Sequence, residues 1–494
     1  MKFIYTALAF SLLFSSCKKY DFGDINTNPD PNVKSIPNTA ELFTNVTRQI
    51  AGDLTISDAT PGIYVQYFSE TQYPGASLYN ISRSDWTDYY ALRPVTTDLF
   101  LGGVLESSYA IINLNTDPST APAAAQNGSN KNQIAIARIM KAYFFSIVTD
   151  RWGDIPYSEA LTGAVSPKYD KQMDIYTDLF KELTEAVEQF ETASTTVKGE
   201  LLFKGDPLKW KRFANSLRMI LAMRISNADP AKARTQFLAA YNDPAGWIDD
   251  NSKNAAFPFL NNRNFRNPWN EKIDQRDDLA PSNVFIDTLN ALSDRRIAAY
   301  ATQASPGVYR GAPFGWNQGA IQTWASNNLY SRIGTKITAM DAPGYLVTAA
   351  QMQLVKAEAA LKGWIPVTEI SAYNFAIRQS WEQWGVYDAA AFTSYINNPR
   401  VNIGTGLGDA EGIKRKIGLQ KWISLYPNGQ EEWSEWRRLN YPTLAPARDA
   451  GGVAIPKRMG YPGNEPTLNG ANYQSQVATM PGGDTPNTPV WWDK

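Results

Sequence analysis

The chain of 494 residues contains no histidine and only one cysteine, Cys17. The absence of histidine excludes Ser-His-Asp and Cys-His nucleophilic systems as they are usually built, and it excludes histidine-ligated zinc or iron. A single cysteine can form neither a disulfide framework nor a thiolate zinc site. Any chemistry would therefore have to rest on carboxylates, lysine, tyrosine or an oxygen-ligated metal.

The chain also lacks an excess of charge, with a formal net charge of −1. Because no surplus of lysine and arginine is available to neutralise phosphates, the composition disfavours nucleic-acid binding. No apolar run approaches the ~20 residues that a membrane-spanning helix requires. Hydrophobic residues nevertheless make up 43% of the chain and aromatic residues 12%, including 15 Trp and 25 Tyr. This richness in Trp and Tyr, without His, favours recognition over bond cleavage.

The N-terminus has the features of an export signal. A single charge at Lys2 precedes the apolar run from Phe3 to Phe14, and two serines then lead to Cys17. This arrangement is typical of a secretory signal, and the cysteine directly after the small residues indicates a lipoprotein signal. We therefore predict cleavage after residue 16 and lipid attachment at Cys17, with residues 17–40 as anchor and tether. A plain secretory signal with an incidental cysteine is the alternative.

Within the tether, acidic and amide side chains alternate in a way that resembles a calcium loop. The glycine that such a loop needs at its sixth position is replaced by Pro29, and its terminal glutamate by Ser35. The segment is better interpreted as a series of Asx and proline turns. We therefore predict no cofactor, and structural calcium is the alternative. The residues concerned are Asp24, Asn26, Asn28 and Asp30.

Helical periodicity dominates the remainder of the chain. Apolar residues recur at helical spacing over 133–151, and Asp206-Pro207 has the form of an N-cap followed by a first-turn proline. A long helix is predicted to start at Trp86 and to end near Asn113. Further helices are predicted from 174, from 206, over 345–361 and over 370–384, followed by a final pair at 413–425 and 431–439. The predicted fold class is all-α, with paired helices in a repeat-like scaffold.

Several motifs occur in a defined order along the chain. They include DINTNP at 24–29, RIMKAY at 138–143, TDRWGDIPYSEA at 149–160, KWKRFANSLR at 209–218 and EWSEWRR at 432–438. Together they resemble the SusD/RagB family of outer-membrane nutrient-binding lipoproteins, in its SusD-like branch. The resemblance covers nearly the whole chain after the signal.

The resemblance implies an array of tetratricopeptide-like helix pairs whose loops and insertions form the ligand surface. It implies a single SusD-like domain over 41–494, with its helical core at about 85–227 and 345–440. The segment from about 228 to 344 would be a loop-rich insertion, and 441–494 an irregular C-terminal segment. The resemblance also implies a lipid anchor in the outer membrane, exposure at the cell surface and a SusC-type TonB-dependent transporter as partner. Ligands in the family are mainly oligosaccharides and, in some members, peptides.

Aromatic rings on loops are the candidate ligand-binding groups, because Trp and Tyr stack on the apolar faces of sugars while amides and arginine bind their hydroxyl groups. Two clusters fit this description. The first comprises Tyr73, Tyr79, Asn80, Arg83 and Trp86, and the second comprises Trp269, Tyr309, Trp316, Asn317, Trp324 and Tyr330. Trp316, in a glycine-rich loop, is the residue most strongly predicted to be exposed.

The sequence favours a binding protein over an enzyme. Asp154 and Glu159 would be one conceivable glycosidase pair, yet nothing distinguishes them among 48 acidic residues. We therefore predict a non-catalytic, glycan-binding lipoprotein that acts as the lid of its transporter. The alternatives are a peptide-binding lid and a structural lipoprotein without a ligand.

Overall fold

The computed structural model describes residues 38–80, 85–94, 100–191, 196–404 and 410–494. Within it, Thr39–Lys494 pack as one unit. Cys17, the tether residues that resemble a calcium loop and Arg83 lie outside the described residues. The predictions that concern them therefore remain predictions.

Helices make up most of the described structure. In the first half of the chain they are α1 (Thr39–Gln49), α2 (Ala59–Tyr64), α3 (Thr87–Tyr90), α4 (Val104–Thr116), α5 (Ala121–Ala124), α6 (Asn130–Trp152), α7 (Gln172–Gln189), α8 (Pro207–Arg224) and α9 (Pro230–Tyr241). In the second half they are α10 (Pro268–Gln275), α11 (Asn283–Leu292), α12 (Ile297–Tyr300), α13 (Gln318–Ala325), α14 (Thr335–Thr338), α15 (Ala349–Leu361), α16 (Glu369–Gln383), α17 (Ala389–Ile396), α18 (Ala410–Ser424), α19 (Gly429–Leu439), α20 (Glu465–Leu468) and α21 (Gly470–Ala478). The predicted all-α class is confirmed.

The strands are short and form two-stranded antiparallel pairs. They are β1 (Phe68–Glu70), β2 (Leu92–Pro94), β3 (Phe100–Gly102), β4 (Ile155–Pro156), β5 (Tyr169–Asp170), β6 (Ala255–Phe257), β7 (Leu279–Pro281) and β8 (Gly344–Val347). Among the described residues β1 pairs with β7, β2 with β3, β4 with β5, and β6 with β8. The β1–β7 and β6–β8 pairs therefore join segments that are remote in sequence.

Helix α6 is the central element of the scaffold. It is buried along most of its length, as the apolar residues on both of its sides predict. The side chain of Ser129 caps its first turn, and Gly153, at φ +83°, ends it. That positive φ favours glycine, which explains the residue at this position. Helices α4, α7 and α8 all pack against α6.

Successive helices pack against each other, as in a helical-repeat scaffold. Packed pairs include α6 with α7, α8 with α9, α15 with α16, and α18 with α19. Asp206 caps α8 by accepting hydrogen bonds from the backbone N–H groups of Leu208 and Lys209, and Pro207 opens the helix, as predicted. Gly363 and Gly385 follow α15 and α16 with φ values of +67°, which confirms both predicted stops.

Two predicted helices differ from the structure. The helix predicted from Trp86 to Asn113 is interrupted, because α3 ends at Tyr90 and the β2–β3 hairpin separates it from α4. The helix predicted from Tyr345 begins later, because residues 344–347 form β8 and Thr348 caps α15. In both places, pairing of one strand with another overrides the local apolar pattern.

A buried ionic network joins the helices at the centre of the fold. Arg224 on α8 pairs with Asp150 on α6, and it lies 3.1 Å from Glu435 on α19. Lys421 lies 2.9 Å from Glu358 and 2.6 Å from Glu435. Burial opposes ionisation of Glu358, but the nearby cations of Arg438 and Lys421 outweigh it and lower its pKa to about 2. Removing one member of such a network costs ~3–5 kcal/mol, because it leaves an uncompensated charge in the core.

None of the helices in the described part of the chain is long and apolar enough to span a membrane.

Candidate functional site

The first part of the site lies where β1 leaves its pairing with β7. One further backbone hydrogen bond follows the paired residue Glu70, since the N–H of Thr71 donates to the carbonyl of Asp278 at 2.8 Å. This places Tyr73 beside Arg276, whose guanidinium lies 4.4 Å from the centre of the tyrosine ring. Arg276 is held in turn by Asp278 at 2.6 Å. Tyr73 is 58% exposed, so its ring is available to a ligand.

The second part is the glycine-rich loop that carries Trp316. Gly315 has a φ of +68°, and a Cβ there would lie 2.5 Å from the Cβ of Ala447. The close approach brings the segment 447–449 against the loop. The guanidinium of Arg448 then lies 4.3 Å from the Trp316 ring, which is partly exposed.

Asp449 holds this arrangement together. Its carboxylate accepts hydrogen bonds from the backbone N–H of Asn317 at 2.7 Å and from the Asn317 side chain at 2.9 Å. It also forms an ion pair with Arg448 at 2.6 Å. Arg448 and the Asn317 N–H lower the pKa of Asp449 well below its usual range. The loop of Trp316 is therefore tied to the C-terminal segment by a carboxylate that is ionised at neutral pH.

The third part is α13, which follows Trp316 directly. The side chain of Asn317 caps its first turn, accepting from the N–H of Ala320. Trp324, on this helix, is partly exposed and lies 5.2 Å from the ring of Tyr330. Arginines stack on both rings, Arg310 at 5.2 Å from Trp324 and Arg332 at 4.1 Å from Tyr330.

Hydrogen bonds connect these three parts. Gln322 on α13 donates its side-chain amide to the carbonyl of Gln72 at 2.9 Å, next to Tyr73. The backbone N–H of Ala447 donates to the hydroxyl of Tyr79 at 3.1 Å. We call the resulting surface the aromatic face, and define it by the rings Tyr73, Trp316, Trp324 and Tyr330 with their arginines Arg276, Arg448, Arg310 and Arg332.

The aromatic face has little net charge. Arg276, Arg448 and Arg332 each form an ion pair with a neighbouring aspartate, at 2.6, 2.6 and 3.4 Å. Arg310 forms no ion pair among the described residues. Rings held by arginine, with amides alongside, present flat apolar surface and directional donors together, which suits a largely uncharged polyhydroxylated ligand.

The structure divides the predicted site residues. Tyr73, Trp316, Asn317, Trp324 and Tyr330 belong to the aromatic face, although Tyr330 is only 6% exposed and chiefly supports Trp324. Asn80 is exposed and Tyr309 is partly exposed, but within the described part of the chain neither stacks on nor hydrogen-bonds to these rings.

Besides Tyr330, three predicted residues are buried, and their predicted contact with a ligand is corrected. Trp269 is 2% exposed and packs on Phe68, so it belongs to the core. Trp86 is 7% exposed and contacts the rings of Tyr90, Trp152, Tyr169 and Tyr461. Tyr79 is 5% exposed, and burial raises its pKa to about 12. Tyr79 therefore supports the site from beneath.

Sequence reasoning missed Arg276, Arg332, Arg448 and Asp449. Arg332 is only two residues from Tyr330, and Arg276 reaches Tyr73 through the pairing of β1 with β7. Arg448 and Asp449 are remote in sequence from Trp316 and Asn317, and no local spacing connects them. Only the proximity of the C-terminal segment to the glycine-rich loop could have identified them.

The described residues provide no catalytic arrangement at the predicted carboxylates. Asp154 accepts hydrogen bonds from Lys171, Gln476 and the N–H of Gln172, and Glu159 accepts from the N–H of Lys168. Both therefore serve the local structure of the turn after α6. The part of the chain that the structure describes also holds no cluster of acidic residues suited to a metal ion.

Comparison with known proteins now decides the family. A SusD-like family profile, described as "Starch-binding associating with outer membrane", matches residues 31–462. The chain belongs to the SusD-like family. Proteins of this family are binding proteins and not enzymes, and they are associated with the outer membrane. A search of curated protein sequences gives no significant match.

Solved structures share the SusD-like fold over almost their whole length. A chitin-binding protein is 30% identical with a TM-score of 0.76, covering 92% of this chain and 100% of its own. A chitin-binding SusD homolog from Flavobacterium johnsoniae is 25% identical with a TM-score of 0.71, covering 92% and 98%. A SusD homolog from Bacteroides uniformis is 26% identical with a TM-score of 0.75, covering 92% and 99%. The tetratricopeptide-like helical scaffold of these neighbours agrees with the observed helix pairs.

Proposed function

We propose that this SusD-like chain is a glycan-binding lipoprotein of the outer membrane, which captures oligosaccharides on its aromatic face. The observation that carries the proposal is the set of exposed or partly exposed rings, Tyr73, Trp316 and Trp324, each backed by an arginine. A ring held from one side keeps its orientation, so a sugar can stack on it at a small cost in side-chain entropy.

Chitin oligosaccharides are the first ligands to test. Two similar structures are named as chitin-binding proteins, and the family description names starch. N-Acetylglucosamine units are uncharged, which suits a face whose charges are mostly paired. Their acetamido groups could accept hydrogen bonds from the amide of Asn317 or the guanidinium of Arg310.

The ligand would be passed to a SusC-type TonB-dependent transporter, over which this chain would act as a lid. Lipid attachment at Cys17 would hold the protein at the cell surface, with the residues between Cys17 and α1 as its tether. Replacing Cys17 with Ser should release the protein from the membrane fraction. Retention of the Cys17→Ser protein by an equally stable anchor would argue against the lipoprotein assignment.

Isothermal titration of the purified protein with chitin, malto-oligosaccharides and a peptide mixture tests the proposal. We expect binding to one glycan series, without product release, and a loss of at least about tenfold in affinity in Trp316→Ala. Trp364→Ala is the matched control, because Trp364 is also partly exposed and also lies beneath a cation, Lys362 at 5.9 Å. Binding of peptides but not of glycans would favour a peptide-importer lid instead.

A further inference from the structure

A second concave surface lies beside the turn after α6. It encloses about 230 Å³ between α3, the segment 156–167 and α20. Trp86, Tyr90 and Pro156 are among the residues that line it. We call it the Trp86 groove. Its walls share no residue with the aromatic face, so it is a separate feature of the molecule.

The rim of the Trp86 groove is aliphatic and exposed. Val165 is 94% exposed, Leu468 64% and Leu161 38%. Exposed aliphatic side chains around an apolar depression mark a surface that another molecule covers. The aromatic rings in this groove are packed against other rings, and the aliphatic rim offers no flat face for stacking. The groove is therefore poorly suited to a sugar and well suited to polypeptide side chains.

Glu465 makes the groove favour a positively charged partner. Its side chain lies in the wall and is 8% exposed, and it accepts a hydrogen bond from the hydroxyl of Tyr169. No lysine or arginine among the described residues forms an ion pair with it. Burial raises the pKa of Glu465, and the negative charge of Asp85 acts in the same direction. A cation brought to this carboxylate would offset its desolvation.

We propose that the Trp86 groove is a docking site for a polypeptide segment of a partner protein that presents a lysine or arginine flanked by aliphatic residues. The methylene stem of the basic residue would lie along Trp86 and Pro156, and its charge would reach Glu465. The flanking aliphatic residues would cover Val165 and Leu468. An anionic lipid headgroup would be repelled by the same carboxylate, which favours a protein partner over a membrane surface.

Selection of a phage-displayed library of random linear peptides on the full chain tests the proposal. We expect enrichment of peptides with a basic residue between aliphatic ones. A synthetic peptide of this type should bind Leu468→Asp at least about tenfold more weakly than the wild type. Leu260→Asp is the matched control, because Leu260 is 51% exposed and lies outside the groove, and it should leave the affinity unchanged.

Glu465→Gln separates the charge contribution from the apolar one. This variant should weaken binding of the basic peptide about tenfold and leave binding of its norleucine analogue unchanged. The proposal is overturned if the enriched peptides lack basic residues, if Leu468→Asp binds them as the wild type does, or if vesicles of anionic phospholipid bind through Leu468 instead. Thermal unfolding of each variant shows that it is folded, and glycan binding at the aromatic face should persist in all of them.

Discussion

Two aromatic regions with similar sequence signatures have opposite structural roles. Three rings of the aromatic face, Tyr73, Trp316 and Trp324, are held by arginines and reach the solvent, as Tyr73 does beside Arg276. Trp86 instead has four rings around it and lies almost wholly inside the protein. Both regions combine Trp or Tyr with Asn, Arg or Asp in turn-rich sequence. A cation partner alone does not make a ring accessible, since Arg437 lies 3.9 Å from the ring of Trp433, which is fully buried. The contrast shows that the number of groups packed around a ring separates a recognition surface from a core.

The largest difference between the two regions should be in stability. Trp86→Ala should lower the free energy of unfolding by ~3–5 kcal/mol, because it leaves a cavity among packed rings. Urea denaturation followed by tryptophan fluorescence and circular dichroism measures this change. Trp316→Ala should change the midpoint far less. Equal losses in the two variants would remove the distinction between core and face.

Substitutions on the aromatic face should reduce ligand affinity more than they reduce stability. Tyr73→Ala should weaken binding of the glycan identified in the titrations by about tenfold, with little change in stability, because the lost ring is exposed. Tyr387→Ala is the matched control, since Tyr387 is 37% exposed and lies beneath Arg378 at 5.1 Å. An equal loss of affinity in both variants would show that Tyr73 is not part of the binding site.

The comparison extends to carboxylates, beginning with Glu432 in the core. Neither of its oxygens has a hydrogen-bond partner among the described residues, and burial, with the charge of Glu435, raises its pKa well above the usual range. A carboxyl group whose pKa is raised by folding stabilises the folded state. This stabilisation is complete below the unfolded-state pKa of 4.5 and is lost as the pH rises through the folded-state pKa.

Glu432→Gln should therefore flatten the dependence of stability on pH. Above pH ~4.5 the free energy of unfolding of the wild type should fall by up to ~1.4 kcal/mol per pH unit because of Glu432, and that of the variant should not. Urea denaturation of both proteins at a series of pH values from 5 to 9 tests this difference, with pH ~5 as the internal reference. Parallel curves for the two proteins would show that Glu432 does not retain its proton in the core.

Asp449, on the aromatic face, should have the smallest effect. The pKa of Asp449 is lowered, chiefly by Arg448. The contribution of its carboxylate to stability is therefore complete above its usual pKa of 3.8 and is lost only as the pH falls below that value. Asp449→Asn should weaken glycan binding by about threefold at neutral pH, because Trp316 and Asn317 lose their anchor. Binding by the wild type should be constant between pH 5 and 8. Unchanged affinity in the variant would show that Trp316 is oriented without Asp449.

Local sequence rules accounted for much of the scaffold. The caps at Asp206 and Gly153 and the stops at Gly363 and Gly385 follow from the conformations that single residues allow. The burial of α6 follows from apolar residues on both of its sides. Sequence rules failed at the β2–β3 hairpin and at β8, where pairing between strands decides the backbone conformation.

The candidate site was predictable only in part. Tyr73, Trp316 and Trp324 were identified because aromatic residues in polar, glycine-rich sequence favour exposure. Trp86 and Trp269 satisfy the same criterion and are buried, since burial depends on what packs against a ring. Arg448 and Asp449 reach Trp316 only because Gly315 lets the C-terminal segment approach the loop.

The sequence by itself determined what this protein cannot do and which family it resembles. Without histidine and with one cysteine it excludes the common nucleophilic and zinc-based chemistries, and its ordered motifs cover nearly the whole chain after the signal. The tertiary structure alone decided which rings face solvent, which arginines hold them and where an acidic, apolar-rimmed groove lies. Composition and local spacing fix the chemistry that is available, whereas contacts between distant segments fix where that chemistry is exposed.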